Sequence, residues 1–385
     1  MIQIEHLSPF LKTNWEKSGF SLFTSIQEQA IPQILEKKDV IAQSPTGTGK
    51  TLAYLLPVLD KLDPEIKQIQ AVILASSHEL VMQILEEIQK WTEGSELKGA
   101  SFIGGANLKR QLEKLKKNPQ IAVGTPGRIH ELIKMKKMKM HQVKTVVIDE
   151  GDQLLVPAHI QTVKQIIKST LSERQVLLFS ATLPEETEQA ARELMKDPEI
   201  IKVDQMDSKQ LQAEHMYVVC EQREKLAMLE KIVRANPVKT LAFIKDIGNL
   251  TVASEKLEYD RIPVGVLHSD SGKQEREAAL KGFRSGKHSL LLATDLAARG
   301  LDIKELQQVI HADFPSDIEQ YIHRSGRTGR LGSESNGTVI SIVTEREERE
   351  LKKFARELKL TLGKKTIYHG KIMSEEERSS YGKRK

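Results

Sequence analysis

Cysteine is almost missing from this chain: Cys220 is the only one in 385 residues, so no disulfide can form within it. It stands in the apolar segment MYVVC, where a thiol is expected to behave as a small buried hydrophobe rather than a nucleophile. Long apolar runs are missing too. No stretch of about 18 apolar residues is available to span a bilayer. The opening MIQIEHLSPFLK has neither the basic start nor the apolar centre and small-residue cleavage site of a secretory signal. A membrane protein is excluded on this reading and a cytoplasmic one expected. A strong charge of either sign is also lacking. The 58 basic and 53 acidic residues leave only +5, which permits a polyanionic partner without requiring one.

What the chain does have is the composition of a packed globular protein, with 39% hydrophobic and 29% charged residues and no bias toward disorder or fibres. Its length is too great for one ordinary core and fits two domains. Apolar, β-branched runs recur along it: DVIAQ, AVILA, IAVG, TVVID and VLLFS in the first half, then YVVC, TLAFI, VGVL, LLLAT, QVIHA and TVISIV. Amphipathic segments of helical length separate them, which predicts an α/β fold with two parallel sheets, each flanked by helices. A polar stretch between the two series divides the chain into residues 1–204, a short linker at 205–215, and residues 216–363. Residues 364–385 are expected to form a short basic tail in solvent. The lysines at 134, 136, 137 and 139 alternate with methionines, as on a turn or helix with one wet face.

After DVIAQ comes SPTGTGKT, residues 44–51, which follows the P-loop pattern except at its first position, Ser44. In such loops successive backbone N–H groups face phosphate, and Gly47 and Gly49 allow that without side-chain obstruction. Lys50 then reaches the β- and γ-phosphates, and Thr51 offers a hydroxyl to Mg²⁺. A P-loop also needs a carboxylate on the metal at the end of a neighbouring buried strand, and TVVID supplies Asp149. Glu150, one residue on, is placed to polarise the attacking water. Farther along, HRSGRTGR repeats Arg324, Arg327 and Arg330 at three-residue spacing between glycines. Three such cations are hard for one domain to satisfy, so a γ-phosphate bound by the other domain is the expected partner.

SPTGTGKT, VIDEGD, SAT at Ser180 to Thr182, ATDLAARGLDI and HRSGRTGR, in this order and spacing, resemble the DEAD-box ATP-dependent RNA helicases of superfamily 2, bacterial type. The resemblance covers Phe20 to about Thr344 and implies two tandem RecA-like domains. It implies an ATP site of Phe20 and Gln27 on adenine, the cradle Ser44, Pro45, Thr46, Gly47, Thr48, Gly49, Lys50 and Thr51, and Asp302. Lys50, Asp149, Glu150, Arg327 and Arg330 would serve hydrolysis. RNA contacts fall on Ser76, on Gly104 and Gly105, and on TPGR, which is Thr125, Pro126, Gly127 and Arg128. In the second domain they fall on Phe243, Lys273, Arg276 and Thr294. Asp152, Ser180, Thr182 and His323 would couple the domains.

The expected partner is RNA, held mainly by its sugar-phosphate backbone and without sequence specificity. ATP and Mg²⁺ are the expected cofactors, and ribosome biogenesis or the rescue of cold-stabilised RNA folds the expected setting for a monomer with RNA-processing partners. An ATP-regulated RNA clamp with little unwinding, and a DNA translocase of the same superfamily, remain as alternatives. Several positions depart from the family, an upstream aromatic replaced by Ile2 or Ile4 among them. Phe23 stands where Pro is usual, His78 replaces Arg, Lys273 replaces Gln, and Gly151 replaces the Ala of the namesake motif. Gly for Ala costs roughly 0.5–1 kcal/mol where the backbone is helical, so looser coupling between ATP turnover and RNA is expected there.

Overall fold

Runs rich in Val, Ile and Leu become strands here because both of their faces are covered. The computed structural model describes all residues except 1–3, 5–6, 21, 204–212, 269, 299–305, 329–336 and 382–385, and no side chain at 273, 296 or 379–381. Two units emerge, Met1–Ser208 and Lys209–Lys385.

In the first unit β1 (Val40–Gln43), β2 (Ala71–Leu74), β3 (Gly99–Phe102), β4 (Ile121–Gly124), β5 (Thr145–Asp149), β6 (Gln175–Ser180) and β7 (Glu199–Lys202) form one sheet in the order β3-β4-β2-β5-β6-β1-β7. Every pairing in it is parallel. Alternate residues feed opposite layers, as the two-residue period of a strand demands. Val40, Val147, Leu177 and Phe179 enter one apolar cluster, while Ile41, Val146, Ile148 and Leu178 enter the other. Parallel strands joined by helices all end at the same edge, so the loops that follow β1 to β6 converge there.

The second unit repeats the plan with β8 (Glu214–Val219), β9 (Thr240–Phe243), β10 (Val264–Leu267), β11 (Leu290–Ala293), β12 (Gln308–His311), β13 (Thr338–Val343) and β14 (Leu362–Lys364), in the order β10-β11-β9-β12-β13-β8-β14. All eleven strands expected from apolar runs are present. The edge strands β3, sequence GASF, and β7, sequence EIIK, escaped that reading because small residues and flanking charges blunt their apolar signal. The boundary between the units falls inside the expected linker, of which 205–212 lie outside the described residues, and Glu214 and His215 already belong to β8.

The expected solvated tail is folded instead. Lys364 closes β14 against β8, and β15 (Thr366–Tyr368) pairs antiparallel with β16 (Lys371–Met373). Ile367 and Ile372 of this hairpin pack on the cluster that holds Leu229, Ile232 and Val233 of the helix Lys225–Ala235, and Met373 is buried. Three short apolar residues among many charges were too sparse a signal to reveal it. Met138 and Met140 are likewise buried between exposed lysines, as expected of one wet face. Cys220 follows β8 half-buried, and burial pushes its thiol pKa up, away from nucleophilic use.

A polar cluster sits inside the second unit. His215 Nδ1 and the Tyr321 hydroxyl share a 2.7 Å hydrogen bond, and His311 lies edge-on to Tyr321 with its Nδ1 3.1 Å from the Ser341 hydroxyl. Burial holds the His215 pKa down at about 4 and drives that of fully buried His311 well below its usual value, helped by the Arg324 guanidinium. Both imidazoles are therefore neutral at pH 7. The unfolded chain binds a proton at each near pH 6.5, whereas folded His215 does so only near pH 4, so stability present above pH 6.5 is lost as the pH falls through that window. At pH 5 the loss from His215 alone is on the order of 2 kcal/mol. Amide exchange of β8, β12 and β13, corrected for intrinsic rate, should show this drop between pH 7 and pH 5. His215→Gln should remove about half of it, since His311 is depressed as well; an unchanged drop in that variant would show that other groups are responsible.

Candidate nucleotide and nucleic-acid site

The loop after β1 opens the site. Gly47 and Gly49 have φ of 79° and 90°, a left-handed backbone that other residues seldom adopt, so the loop can turn its N–H groups outward at the start of the helix Lys50–Asp60. That helix directs its positive dipole end at the loop. Lys50 Nζ donates to the carbonyls of Ser44 and Pro45 at 2.5 and 2.8 Å, which holds the ammonium within the cradle. Ser44 is fully buried; its hydroxyl lies 2.7 Å from that of Thr48, which in turn donates to the Pro45 carbonyl. The residue that breaks the P-loop pattern therefore braces the loop from within.

Gln27 is buried beside it. Its Nε2 donates to the Gly49 carbonyl at 3.1 Å and its Oε1 accepts from the Thr24 N–H at 3.0 Å. A Cβ on Gly49 would lie 2.5 Å from Gln27 Nε2, so a side chain there would push that amide off the Gly49 carbonyl, and φ already favours glycine. An amide has two donors and two acceptor lone pairs, which leaves one of each for an adenine edge. Phe20 is 45% exposed and leans on Trp15, with ring centroids 5.6 Å apart. Phe23, the departure from Pro, packs on the same Trp15 at 4.7 Å and so supports the exposed ring from behind.

At the end of β5, Asp149 is 4% exposed. Its carboxylate accepts from the Tyr54 hydroxyl at 2.9 Å and from the Glu150 N–H at 3.0 Å. Burial, and then the Glu150 carboxylate beside it, raise its pKa to about 6. A buried carboxylate held at such cost suits a divalent cation, which would favour its ionised form; Thr51, one turn from Tyr54 on the same helix, offers the hydroxyl. Tyr54 was not anticipated. Its one clue was a polar tip in the apolar run TLAYLL.

Glu150 has φ 55°, unusual for a residue with a side chain, and caps the short helix Gly151–Leu154. Gly151 is buried, and a Cβ placed on it would lie 2.7 Å from Leu178 Cγ and Cδ1. Beside the expected cost to the helical backbone there is a steric reason for glycine here: the space of the missing methyl is filled by Leu178, a neighbour on β6. Asp152 receives the Thr182 hydroxyl at 2.6 Å and offers its N–H to the Ser180 hydroxyl at 3.2 Å, which brings three of the four expected coupling residues together within one unit. The fourth, His323, belongs to the second unit and lies on its helix Ile318–Ser325.

The remaining loops of this edge hold the expected RNA contacts. Gly104 N–H donates to the Thr125 hydroxyl at 3.3 Å, and Arg128 Nη2 donates to the Ala106 carbonyl at 3.3 Å. Arg128 is 8% exposed and pairs with Glu131, yet its Nη1 has no protein partner, a buried donor fit for a phosphate oxygen. Pro126 opens the helix Pro126–Lys134, Gly127 is exposed beside it, and Gly105 is exposed with φ 70°.

In the second unit the reading of the arginines needs correction. Arg324 is 2% exposed and has all three nitrogens engaged in place, with Nε and Nη2 on the two Asp295 oxygens at 2.6 and 2.7 Å, and Nη1 on the Asp313 carbonyl. Its guanidinium covers the Phe243 ring at 5.0 Å, so the Phe243 side chain is core and only its backbone can face a ligand. Arg327 is half-buried, with Nε on the His323 carbonyl. Arg276 Nη2 donates to the Ala297 carbonyl, and Thr294 is buried at the end of β11. Asp302, Arg330 and the Lys273 side chain lie outside the described residues.

The DEAD/DEAH box helicase family matches residues 24–190, and the helicase conserved C-terminal domain matches residues 224–332. The chain is 54% identical over 369 residues to the probable ATP-dependent RNA helicase YfmL of Bacillus subtilis, covering 96% of this chain and 97% of that one. It is 52% identical to the DEAD-box ATP-dependent RNA helicase CshC of Bacillus cereus, covering 96% and 94%. Among solved structures, S. cerevisiae Dbp5 bound to RNA and ADP BeF3 superposes with a TM-score of 0.84 at 28% identity, over 93% of this chain and 94% of that one.

Gly151→Ala should lower the stability of the first unit by about 1 kcal/mol, the net of overpacking against Leu178 and a small helical gain. Denaturant melts of the single variants and of Gly151→Ala/Leu178→Val test this. The double variant should be more stable than the sum of its parts, and strict additivity would clear Leu178 of the clash.

Proposed function

The chain belongs to the DEAD/DEAH box helicase family, and we propose that it is an ATP-dependent RNA helicase that locally unwinds or remodels short structured RNA, coupling hydrolysis to domain closure. The observation that carries this reading is one sheet edge holding three things together: the phosphate cradle after β1, the acid pair after β5, and the phosphate-seeking loops after β3 and β4.

The residues divide the work. Phe20 and Gln27 present a ring face and an amide to adenine, and the loop N–H groups with Lys50 bind the phosphates. Thr51 and Asp149 would hold Mg²⁺, which supplies charge neutralisation across the phosphate chain. In the hydrolytic step a water oxygen bonds to the γ-phosphorus, the bond from that phosphorus to the bridging oxygen breaks, and the water's proton passes to Glu150. Arg327, and by family analogy Arg330 and Asp302, serve the nucleotide from the second unit. Arg128 and the loops at Gly104 and Thr125 hold the RNA backbone, joined in the second unit by Arg276, Lys273 and the segments at Thr294 and Phe243. Asp152, Thr182, Ser180 and His323 relay the state of one site to the other.

Among the described residues no helix is long and apolar enough to cross a membrane, and a cytoplasmic setting with ribosomal or RNA-processing partners is part of the proposal. The decisive measurement is ATP turnover with Mg²⁺, with and without structured RNA. RNA should stimulate it, and Glu150→Gln should abolish turnover by on the order of 10²-fold or more while ATP binding persists. Release of a short duplex should accompany turnover; ATP-dependent RNA binding without release would make the protein a clamp, and equal stimulation by single-stranded DNA would overturn the RNA assignment.

A further inference from the structure

Ser76 stands directly across from Glu150. β2 and β5 pair in parallel with Leu74 opposite Ile148, and continuing that register by two residues, beyond the end of each strand, sets residue 76 against residue 150. The left-handed backbone of Glu150 turns its side chain toward this neighbour, and the Ser76 hydroxyl donates to Glu150 Oε2. One carboxylate oxygen is so occupied, and Oε1 is left for the water whose proton Glu150 takes.

The turn that carries Ser76 is itself anchored. The Ala75 N–H donates to the Gly124 carbonyl, and Ser77 caps the helix His78–Trp91 by accepting from the Leu80 N–H at 3.2 Å. His78, two residues on, lies beside the loop expected to meet RNA: a methyl built on Gly104 would sit 3.9 Å from its Nε2. Three residues therefore span from the general base to the nucleic-acid loops, with the β2 turn as a stiff connection.

We infer that Ser76 is a positioning residue for hydrolysis, its hydroxyl aiming the Glu150 carboxylate and tying that aim to the β2 turn, rather than an RNA contact. The inference rests on Glu150 acting as the base in the function proposed above. An aligned hydrogen bond fixes the carboxylate rotamer before the water arrives, and loss of such alignment slows the chemical step without weakening nucleotide binding.

The test is steady-state ATPase kinetics of the full chain with saturating RNA, varying ATP and then RNA. Ser76→Ala should lower kcat roughly tenfold while the KM for ATP and the half-saturating RNA concentration stay within about twofold. Ser76→Thr, which keeps the hydroxyl, should restore most of the rate. In a Glu150→Gln background Ser76→Ala should have no further effect on the residual rate, because the group it positions is gone. A raised half-saturating RNA concentration at unchanged kcat would return Ser76 to RNA binding and overturn the inference. So would a Ser76→Thr variant as slow as Ser76→Ala with an equally lowered melting temperature, since that marks a packing defect. If Glu150→Gln itself turns over normally, the proposed function fails at its base, an outcome distinct from a failure of Ser76 alone.

Discussion

The in-register pairing of β5 between β2 and β6 is the constraint from which the first unit's chemistry follows. Each strand is buried on both faces, so a shift of one residue would turn Val147 into the wrong layer and carry Val146 and Ile148 with it. The apolar layers forbid that shift. Asp149 consequently ends inside the sheet edge, Glu150 emerges one residue later, Ser76 meets it from one side, and Ser180 with Thr182 meets Asp152 from the other. The placement of these side chains is inherited from hydrophobic register.

That inheritance has an electrostatic cost. Asp149 is desolvated and has an acid as its neighbour, and Tyr54 with the Glu150 N–H offsets only part of this. A site that is unfavourable by itself binds a cation well, because the ligand relieves what the fold created. Glu150, in a left-handed backbone conformation, adds local strain of order 1 kcal/mol that the surrounding packing must sustain. Gly151 belongs to the same economy of space, since Leu178 occupies the room a methyl would need.

Several residues that look like ligands also serve as the frame of the site. Ser44 closes the cradle from beneath, Gln27 supports Gly49, and Arg324 is consumed by Asp295 and the Asp313 carbonyl above the Phe243 ring. A guanidinium buried with each of its three nitrogens already bonded is a poor candidate for phosphate. Arg128 shows the contrast, being buried too yet keeping a whole nitrogen, Nη1, without a protein partner. Counting partners separates the two roles where residue type cannot.

Sequence alone determined the eleven buried strands and the two-unit plan and singled out the candidate chemical groups, because apolar runs and glycine-bounded loops act through local periodicity and local backbone freedom. It left unseen the edge strands GASF and EIIK and the hairpin after Lys364, whose few apolar residues acquire meaning only against a partner surface. Tertiary structure alone decided which cation is spent, which methyl has no room, and which hydroxyl faces Glu150. Arg324 and Asp295 are 29 residues apart, Gly151 and Leu178 on β6 are joined through the intervening helix Ile160–Lys168, and Ser76 lies 74 residues from Glu150. No local pattern encodes such pairs; they exist because strands distant in the chain are pressed side by side to bury their apolar faces.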